Sequence, residues 1–108
     1  MNDVTLDALH SALRGLAARQ RVVADNVANL ETPGFLAGRV GFEDALRTAL
    51  GTGAAEQVSP TTGRSLAPTG TNGNNVNLDE ETLTMIDTGL RYQLAVEAVS
   101  AKLGLLRT

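Results

Sequence analysis

Residues that commonly carry catalysis or bind metals are scarce in this sequence. His10 is the only histidine and there is no cysteine in 108 residues, so neither a Cys/His metal centre nor a thiol nucleophile can form. Glu80 and Glu81 are adjacent acids near the start of a predicted helix, where the helix dipole favours carboxylates without any catalytic role. The sequence therefore predicts no enzyme, no cofactor and no metal.

Two segments superficially resemble ligand-binding loops. Residues 72–81 are rich in side-chain oxygens, but if Asn75 began an EF-hand loop, Glu80 would occupy the position that requires glycine and Ile86 the position of the bidentate acid. Residues 51–53, Gly-Thr-Gly, lack the lysine of a phosphate-binding loop. A turn followed by a helix cap explains the first segment better than a calcium site does.

Composition also bears on the partners of the chain. The formal net charge is −3 without a basic run, whereas nucleic-acid binding requires a clustered Lys/Arg face. No stretch approaches the roughly 20 apolar residues of a membrane-spanning helix, and residues 1–7 lack the basic and apolar regions of a cleavable secretory signal. We expect a single domain over residues 1–108, with no nucleic-acid partner and no direct membrane insertion. By itself, this composition favours a cytosolic location.

A long N-terminal helix is predicted over residues 5–31. Its larger side chains recur at alternating spacings of three and four, as in a coiled-coil seam, with one polar interruption at Gln20. The seam consists of Leu6, Leu9, Leu13, Leu16, Gln20, Val23, Val27 and Leu30. A helix about 40 Å long, at the usual rise of about 1.5 Å per residue, with so narrow a seam requires a partner helix.

Residues 32–50 are predicted to form a corner and a short helix. Pro33 cannot continue a helix and biases the preceding residue towards extended structure. Gly34 supplies the backbone freedom to turn the chain. The short helix that follows has its apolar residues on one side and can end at Gly51. Its apolar side consists of Phe42, Ala45, Leu46, Ala49 and Leu50.

Residues 51–76 are expected to form a long flexible loop. Gly, Thr, Ser, Pro and Asn dominate this segment, and Val58 and Leu66 are its sizeable apolar residues. Such a composition cannot bury enough apolar surface to offset the entropy lost on ordering. A short hairpin within the loop is compatible with the same pattern.

The second long helix is predicted over residues 77–107, where Asn77 and Glu80 form a plausible capping box. Two apolar stripes run along it, which is more than one partner helix can cover. The stripe assigned to helix pairing contains Met85, Gly89, Tyr92, Val96, Val99 and Leu103. The outward stripe, which is expected to be an interaction surface, consists of Leu83, Ile86, Leu90 and Leu94.

The predicted fold is therefore all-α: an antiparallel, coiled-coil-like pair of long terminal helices joined by a short helix and a long Gly/Thr/Asn-rich loop. Matching the two seams in opposite directions places Gln20 opposite Tyr92, whose hydroxyl could satisfy the Gln20 amide. The same register pairs Leu9 with Leu103, Leu13 with Val99, Leu16 with Val96, and Val27 with Met85.

The corner lies within a decapeptide that resembles the signature near the N-terminus of the flagellar rod and hook axial protein family. The residues that match are Asn26, Val27, Ala28, Asn29, Thr32, Pro33, Gly34 and Phe35. Residues 39–46, which include Arg39 and Phe42, resemble the segment that follows the signature in rod subunits of that family. Residues 73–81 and 90–93 resemble its C-terminal region.

This resemblance implies a structural subunit of the proximal rod in the bacterial flagellar basal body. Such a subunit associates with copies of itself and with other rod and basal-body proteins through its terminal helices. The resemblance also implies export by the flagellar type III apparatus with an uncleaved N-terminal region, and hence a location in the cell-envelope rod. The alternative is a helical export chaperone or adaptor that binds one partner through the outward stripe.

Overall fold

The computed structural model describes residues 4–107, which form an elongated molecule of 58 × 25 × 14 Å. A long helix lies at each end of this range, and the shorter elements lie between them in sequence. The elements are α1 (Val4–Ala28), β1 (Gly38–Gly41), α2 (Glu43–Thr52), a 3-10 helix (Ala55–Gln57), β2 (Thr61–Arg64) and α3 (Leu78–Arg107). The long terminal helices predicted from the sequence are confirmed. Within the described residues, no helix is both long and apolar enough to cross a membrane.

Helices α1 and α3 pack against each other in opposite directions. Asn26, near the end of α1, bonds to Glu81 near the start of α3, while Leu16 lies in the same cluster as Tyr92, further along α3. At the start of α3, the Asn77 Oδ1 accepts hydrogen bonds from the backbone N–H groups of Asp79 and Glu80, at 3.0 and 3.2 Å. Asn77 therefore caps this helix, as its side chain predicts.

A small antiparallel sheet corrects the all-α prediction. Strand β1 pairs with β2, so that Gly38 lies opposite Arg64 and Gly41 opposite Thr61. Each strand has four residues, too few to produce a detectable alternation of apolar and polar residues. Gly38 is buried against α1, where an added Cβ would stand 2.7 Å from the Val22 Cγ1. This close approach of strand and helix requires glycine.

The apolar core lies between α1 and the middle segment of the chain. Leu16, Val40, Phe42 and Val58 form its buried centre, against which half-buried side chains from α1, α2 and α3 pack. Val58 comes from the segment expected to be a flexible loop. Because no single element supplies more than one or two of these residues, the core forms only when the middle segment folds against α1.

The segment 51–76 thus contains a 3-10 helix and a strand instead of an irregular loop. Its 3-10 helix is held to α1 by two polar side chains. The Ser11 hydroxyl donates to the Ala55 carbonyl, and the Arg14 Nη2 donates to the Glu56 carbonyl at 2.8 Å. Polar contacts supply the order that the apolar content of this segment cannot.

Candidate assembly site

The signature corner begins where α1 ends. The helix stops at Ala28, earlier than the predicted end, and residues 29–35 continue as turns. Here the Thr32 hydroxyl donates to the Asn29 Oδ1 at 3.0 Å. Gly34 has a φ of +74°, a left-handed conformation in which a side chain is strained. The Pro-Gly pair therefore turns the chain after the helix has already ended.

An asparagine-rich turn just before α3 holds this corner in place. The Asn74 Nδ2 donates to the carbonyls of Asn29 at 2.9 Å and Thr32 at 2.8 Å. The Gly34 N–H donates to the Asn72 carbonyl at 2.9 Å. The carbonyls of Asn29 and Thr32 also accept turn hydrogen bonds from the N–H groups of Thr32 and Phe35, so the Asn74 amide adds a second bond to each. The oxygen-rich segment, which lacks the spacing of a calcium loop, thus holds the corner by hydrogen bonds. We call the bonds made by Asn72 and Asn74 the corner clamp.

Asn26 forms a buried polar junction between three elements. Its side chain makes a two-way pair with the backbone of Gly38, accepting from the N–H at 2.7 Å and donating to the carbonyl at 3.0 Å. The same amide donates to the Glu81 carboxylate at 3.1 Å, and Arg39 pairs with Glu81 at 2.8 Å. Both Asn26 and Glu81 are buried, so the junction ties α1, β1 and α3 together.

Phe42 is fixed from one side by Arg19 of α1. The guanidinium lies 5.1 Å from the centre of the Phe42 ring and donates to the Val40 carbonyl at 2.7 Å. It also forms two bonds with the Glu43 carboxylate, at 2.7 and 2.8 Å. Because of the hydrogen bond from Arg19, which outweighs the opposing effect of burial, the pKa of Glu43 falls from 4.5 to about 2. The same bond raises the pKa of Arg19.

The signature residues divide into an inward and an outward group. Asn26 is buried, and Val27, Asn29 and Phe35 are half-buried. Phe35 lies beneath Arg64, whose guanidinium is 5.3 Å from the ring centre. The outward, exposed residues are Ala28, Thr32, Pro33, Gly34 and Arg39. The fold therefore accounts for the inward residues and leaves Pro33 and its neighbours at the surface.

On α1, the helix-pairing prediction is partly corrected. Leu16 and Val23 are buried, and Leu9, Leu13 and Val27 are half-buried. Gln20, however, is exposed, so it is not a polar member of the seam. Sequence reasoning also missed the buried residues Ser11, Gly15 and Asn26, because small and polar side chains do not contribute to an apolar periodicity.

On α3, the residues that face the interior differ from the predicted pairing stripe. Tyr92 and Val99 are half-buried, but Met85, Val96 and Leu103 are 41–46 % exposed. The inward positions instead recur at heptad spacing and are mostly small or polar. They are Glu81, Thr84, Thr88, Ala95 and Lys102, together with Tyr92 and Val99. Thr88 is fully buried, and its Oγ1 has no hydrogen-bond partner among the described residues.

The register of the two helices is also displaced from the prediction. The seam match placed Met85 opposite Val27, whereas the neighbouring Asn26 bonds to Glu81. Tyr92 packs against the cluster that contains Leu16, instead of pairing with the exposed Gln20. The displacement amounts to about one helical turn. It arises because the polar junction at Asn26, and not the match of apolar residues, sets the register.

The outward stripe is the most apolar surface of α3. Leu83, Ile86, Leu90 and Leu94 recur at spacings of three and four, and each is 56–68 % exposed. The intrahelical pair of Asp87 and Arg91, 2.8 Å apart, lies along the same part of the helix. α3 thus turns leucines outward and threonines inward, and a contiguous exposed apolar face of this kind is typical of an interaction site. The fold and its exposed apolar face are typical of a helical structural protein that assembles with partners.

Comparison with known proteins shows which family the chain resembles. Residues 6–35 match the family described as "Flagella basal body rod protein". Over 117 aligned residues, the chain is 27 % identical to flagellar basal body rod protein FlgB of Bacillus subtilis, covering 96 % of the chain and 91 % of that relative. It is 28 % identical to FlgB of Escherichia coli over 122 residues, covering 94 % and 88 %. It is 29 % identical to FlgB of Borrelia hermsii over 114 residues, covering 85 % and 84 %. The chain is thus similar to flagellar basal body rod proteins over nearly its whole length.

Members of this family are structural components of the bacterial flagellar basal body and assemble with its other components. The chain is accordingly a structural rod subunit and not an enzyme. The interpretation as an export chaperone or adaptor is not favoured, because the relatives resemble the chain over nearly its whole length and are rod proteins.

Proposed function

We propose that the chain is a subunit of the proximal part of the rod, and that the outward stripe of α3 is its main contact with neighbouring subunits. Copies of this chain and other axial proteins are the neighbours that the proposal requires. It also includes export by the flagellar type III apparatus before assembly in the cell envelope. The observation that carries the proposal is the exposure of Leu83, Ile86, Leu90 and Leu94 along one face of α3.

The inward and outward faces of α3 carry different kinds of side chain. The inward face contains Thr84 and Thr88, and the Thr88 hydroxyl has no partner among the described residues. The outward face presents leucine and isoleucine to solvent, although burial of each such side chain stabilises a structure by about 1.5–3 kcal/mol. Burial of the outward stripe between subunits would contribute this free energy to assembly. The corner clamp and the Asn26 junction then fix the angle at which the stripe is presented.

A complementation experiment tests this proposal. Ile86→Asp and Leu90→Asp would be introduced into a strain that lacks its own copy of the protein, and swimming would be measured in soft agar. Both variants should abolish swimming, because a carboxylate in an apolar contact between subunits lacks a partner. Leu50→Asp is the matched control, because Leu50 is an exposed leucine on α2, away from the stripe. Normal swimming by the Leu90→Asp strain would contradict the proposal.

Folding of the variants must be separated from assembly. Each purified variant should retain the helical circular dichroism of the wild type, because the substituted side chains are already exposed to solvent in the single chain. A variant that is folded and present in the cell, yet absent from purified basal bodies, fails at assembly.

A further inference from the structure

Leu66 is an exposed leucine whose backbone is held on both sides. Its side chain is 95 % exposed, and the residue lies two positions after the end of β2. The preceding residue, Ser65, donates its N–H to the Ala37 carbonyl at 2.8 Å. The Asn75 Nδ2 donates to the carbonyls of both Ser65 and Ala67, each at 3.1 Å. The Ala67 N–H donates to the Ser65 Oγ at 3.1 Å.

These bonds distinguish Leu66 from an ordinary surface leucine. A single exposed apolar residue needs no explanation by itself. Here, however, one buried asparagine, Asn75, bonds the carbonyl on each side of Leu66, and its Oδ1 also accepts from the Ala37 N–H at 2.7 Å. The loop is thus held in a shape that presents Leu66 to solvent before any partner arrives. Such preorganisation lowers the entropy cost of binding.

The charges around Leu66 and the outward stripe are complementary in sign. Between residues 57 and 77 the only charged residue is Arg64, two positions before Leu66. Along α3, the region around the stripe has one base, Arg91, among several exposed acids. Those acids are Asp79, Glu80, Asp87 and Glu97. The segment that carries Leu66 therefore has a net positive charge, and the part of α3 that carries the stripe has a net negative charge.

We infer that Leu66 of one copy docks on the outward stripe of the next copy in a heterologous contact. This inference rests on the proposed function and specifies the partner of the stripe as a second copy of the chain. In such a contact the stripe of the first copy and Leu66 of the last copy stay open for further copies. Heterologous contacts that do not close into a ring produce open-ended assemblies, which is what a rod requires.

Cross-linking between introduced cysteines tests the inference, since the natural chain contains no cysteine. The double variant Leu66→Cys with Leu90→Cys would replace the natural copy in cells, and basal bodies would be treated with a short bis-maleimide. We expect a ladder of dimers, trimers and larger species of this chain, because each copy contributes one half of two contacts. Leu50→Cys with Leu90→Cys is the matched control and should give no ladder.

The outcomes separate this inference from the proposed function. A ladder with Leu66→Cys and Leu90→Cys supports the inference. Dimers formed by Leu66→Cys alone would overturn it, because they would show a two-fold contact between equivalent leucines. No ladder, combined with loss of swimming by Leu90→Asp, would overturn the inference and leave the stripe as a contact for another axial protein. No ladder with normal swimming by Leu90→Asp would overturn both.

Discussion

Phe42 lies directly against Gly15: a Cβ added to Gly15 would stand 2.2 Å from the Cδ1 atom of the ring. Gly15 is buried within α1, where glycine is less favourable than alanine by about 1 kcal/mol. The close packing of the ring explains why this helix position requires glycine. Arg19, one turn further along α1, covers the same ring, so Phe42 is fixed between the two residues.

Gly15→Ala is therefore expected to destabilise the fold, although the same change stabilises most helices. The overlap with the ring should cost roughly 1–3 kcal/mol, as overpacking of cores does. The matched control is Gly89→Ala in α3, where no atom lies within 4 Å of the added Cβ and a gain of up to about 1 kcal/mol is expected. Urea unfolding followed by circular dichroism measures both. Equal stability of the two variants would show that Phe42 does not depend on Gly15.

Asn26→Asp should disrupt the buried junction. The substitution removes the N–H groups that donate to the Gly38 carbonyl and to Glu81, and it places a second carboxylate beside the buried Glu81. Loss of such buried hydrogen bonds costs roughly 1–3 kcal/mol. Asn77→Asp is the control, because Asp caps a helix as well as Asn does. Thermal unfolding would be compared at pH 7, and an unchanged melting temperature of Asn26→Asp would refute the role assigned to the junction.

The Arg19–Glu43 pair predicts a specific dependence on pH. The pKa of Glu43 in the fold, about 2, lies below its ordinary value of 4.5. The ionised carboxylate therefore stabilises the fold above pH 4.5, and this contribution is lost as the pH falls from 4.5 towards 2. Glu43→Gln should lower the melting temperature at pH 7, and the difference from the wild type should shrink on acidification through this range. Glu97→Gln, at an exposed position of α3, controls for the change in net charge. A difference that stays constant from pH 7 to 2.5 would contradict this account of Glu43.

Gly34→Ala isolates the backbone requirement of the corner. No atom lies within 4 Å of an added Cβ, so any effect arises from the φ of +74°. Holding a non-glycine residue in that region costs about 1–2 kcal/mol. Gly51→Ala is the matched control, because its Cβ also meets nothing within 4 Å and its φ is not positive. We expect a lower unfolding midpoint for Gly34→Ala but not for Gly51→Ala. Equal unfolding midpoints of the two variants would contradict the claim that the left-handed backbone at residue 34 requires glycine.

The long helices could be predicted from sequence because their spacing signals extend over many residues. The pattern also located the corner at Pro33 and Gly34, and the outward stripe consists of side chains that are exposed in the structure. The choice of inward face on α3 failed for a physical reason. The prediction followed larger apolar residues such as Met85 and Val96, which are exposed. The structure instead packs small or polar residues such as Thr88 and Ala95 inside, and an apolar periodicity does not detect these.

The middle of the chain could not be predicted because its order depends on distant polar contacts. Strand β1 includes Gly38, which pairs with a side chain from α1, and the 3-10 helix is held by Ser11 and Arg14. Glu81 was interpreted as a favourable charge at a helix start, yet it is buried against Asn26. Each of these contacts joins residues more than ten positions apart. Local propensity depends only on neighbouring residues and therefore cannot predict them.

The most direct test of the central claim is the accessibility of residue 90 in the assembled rod. With Leu90→Cys as the sole cysteine of the chain, maleimide labelling would be measured on the purified subunit and on purified basal bodies, and the label on this chain would be quantified after denaturation. Because the side chain of Leu90 is exposed in the single chain, rapid labelling of the purified subunit is expected. If the outward stripe is a contact between subunits, labelling in the basal body should fall at least tenfold, while a Leu50→Cys control changes much less. Equally fast labelling of Leu90→Cys in both states would contradict the claim that this stripe assembles the rod.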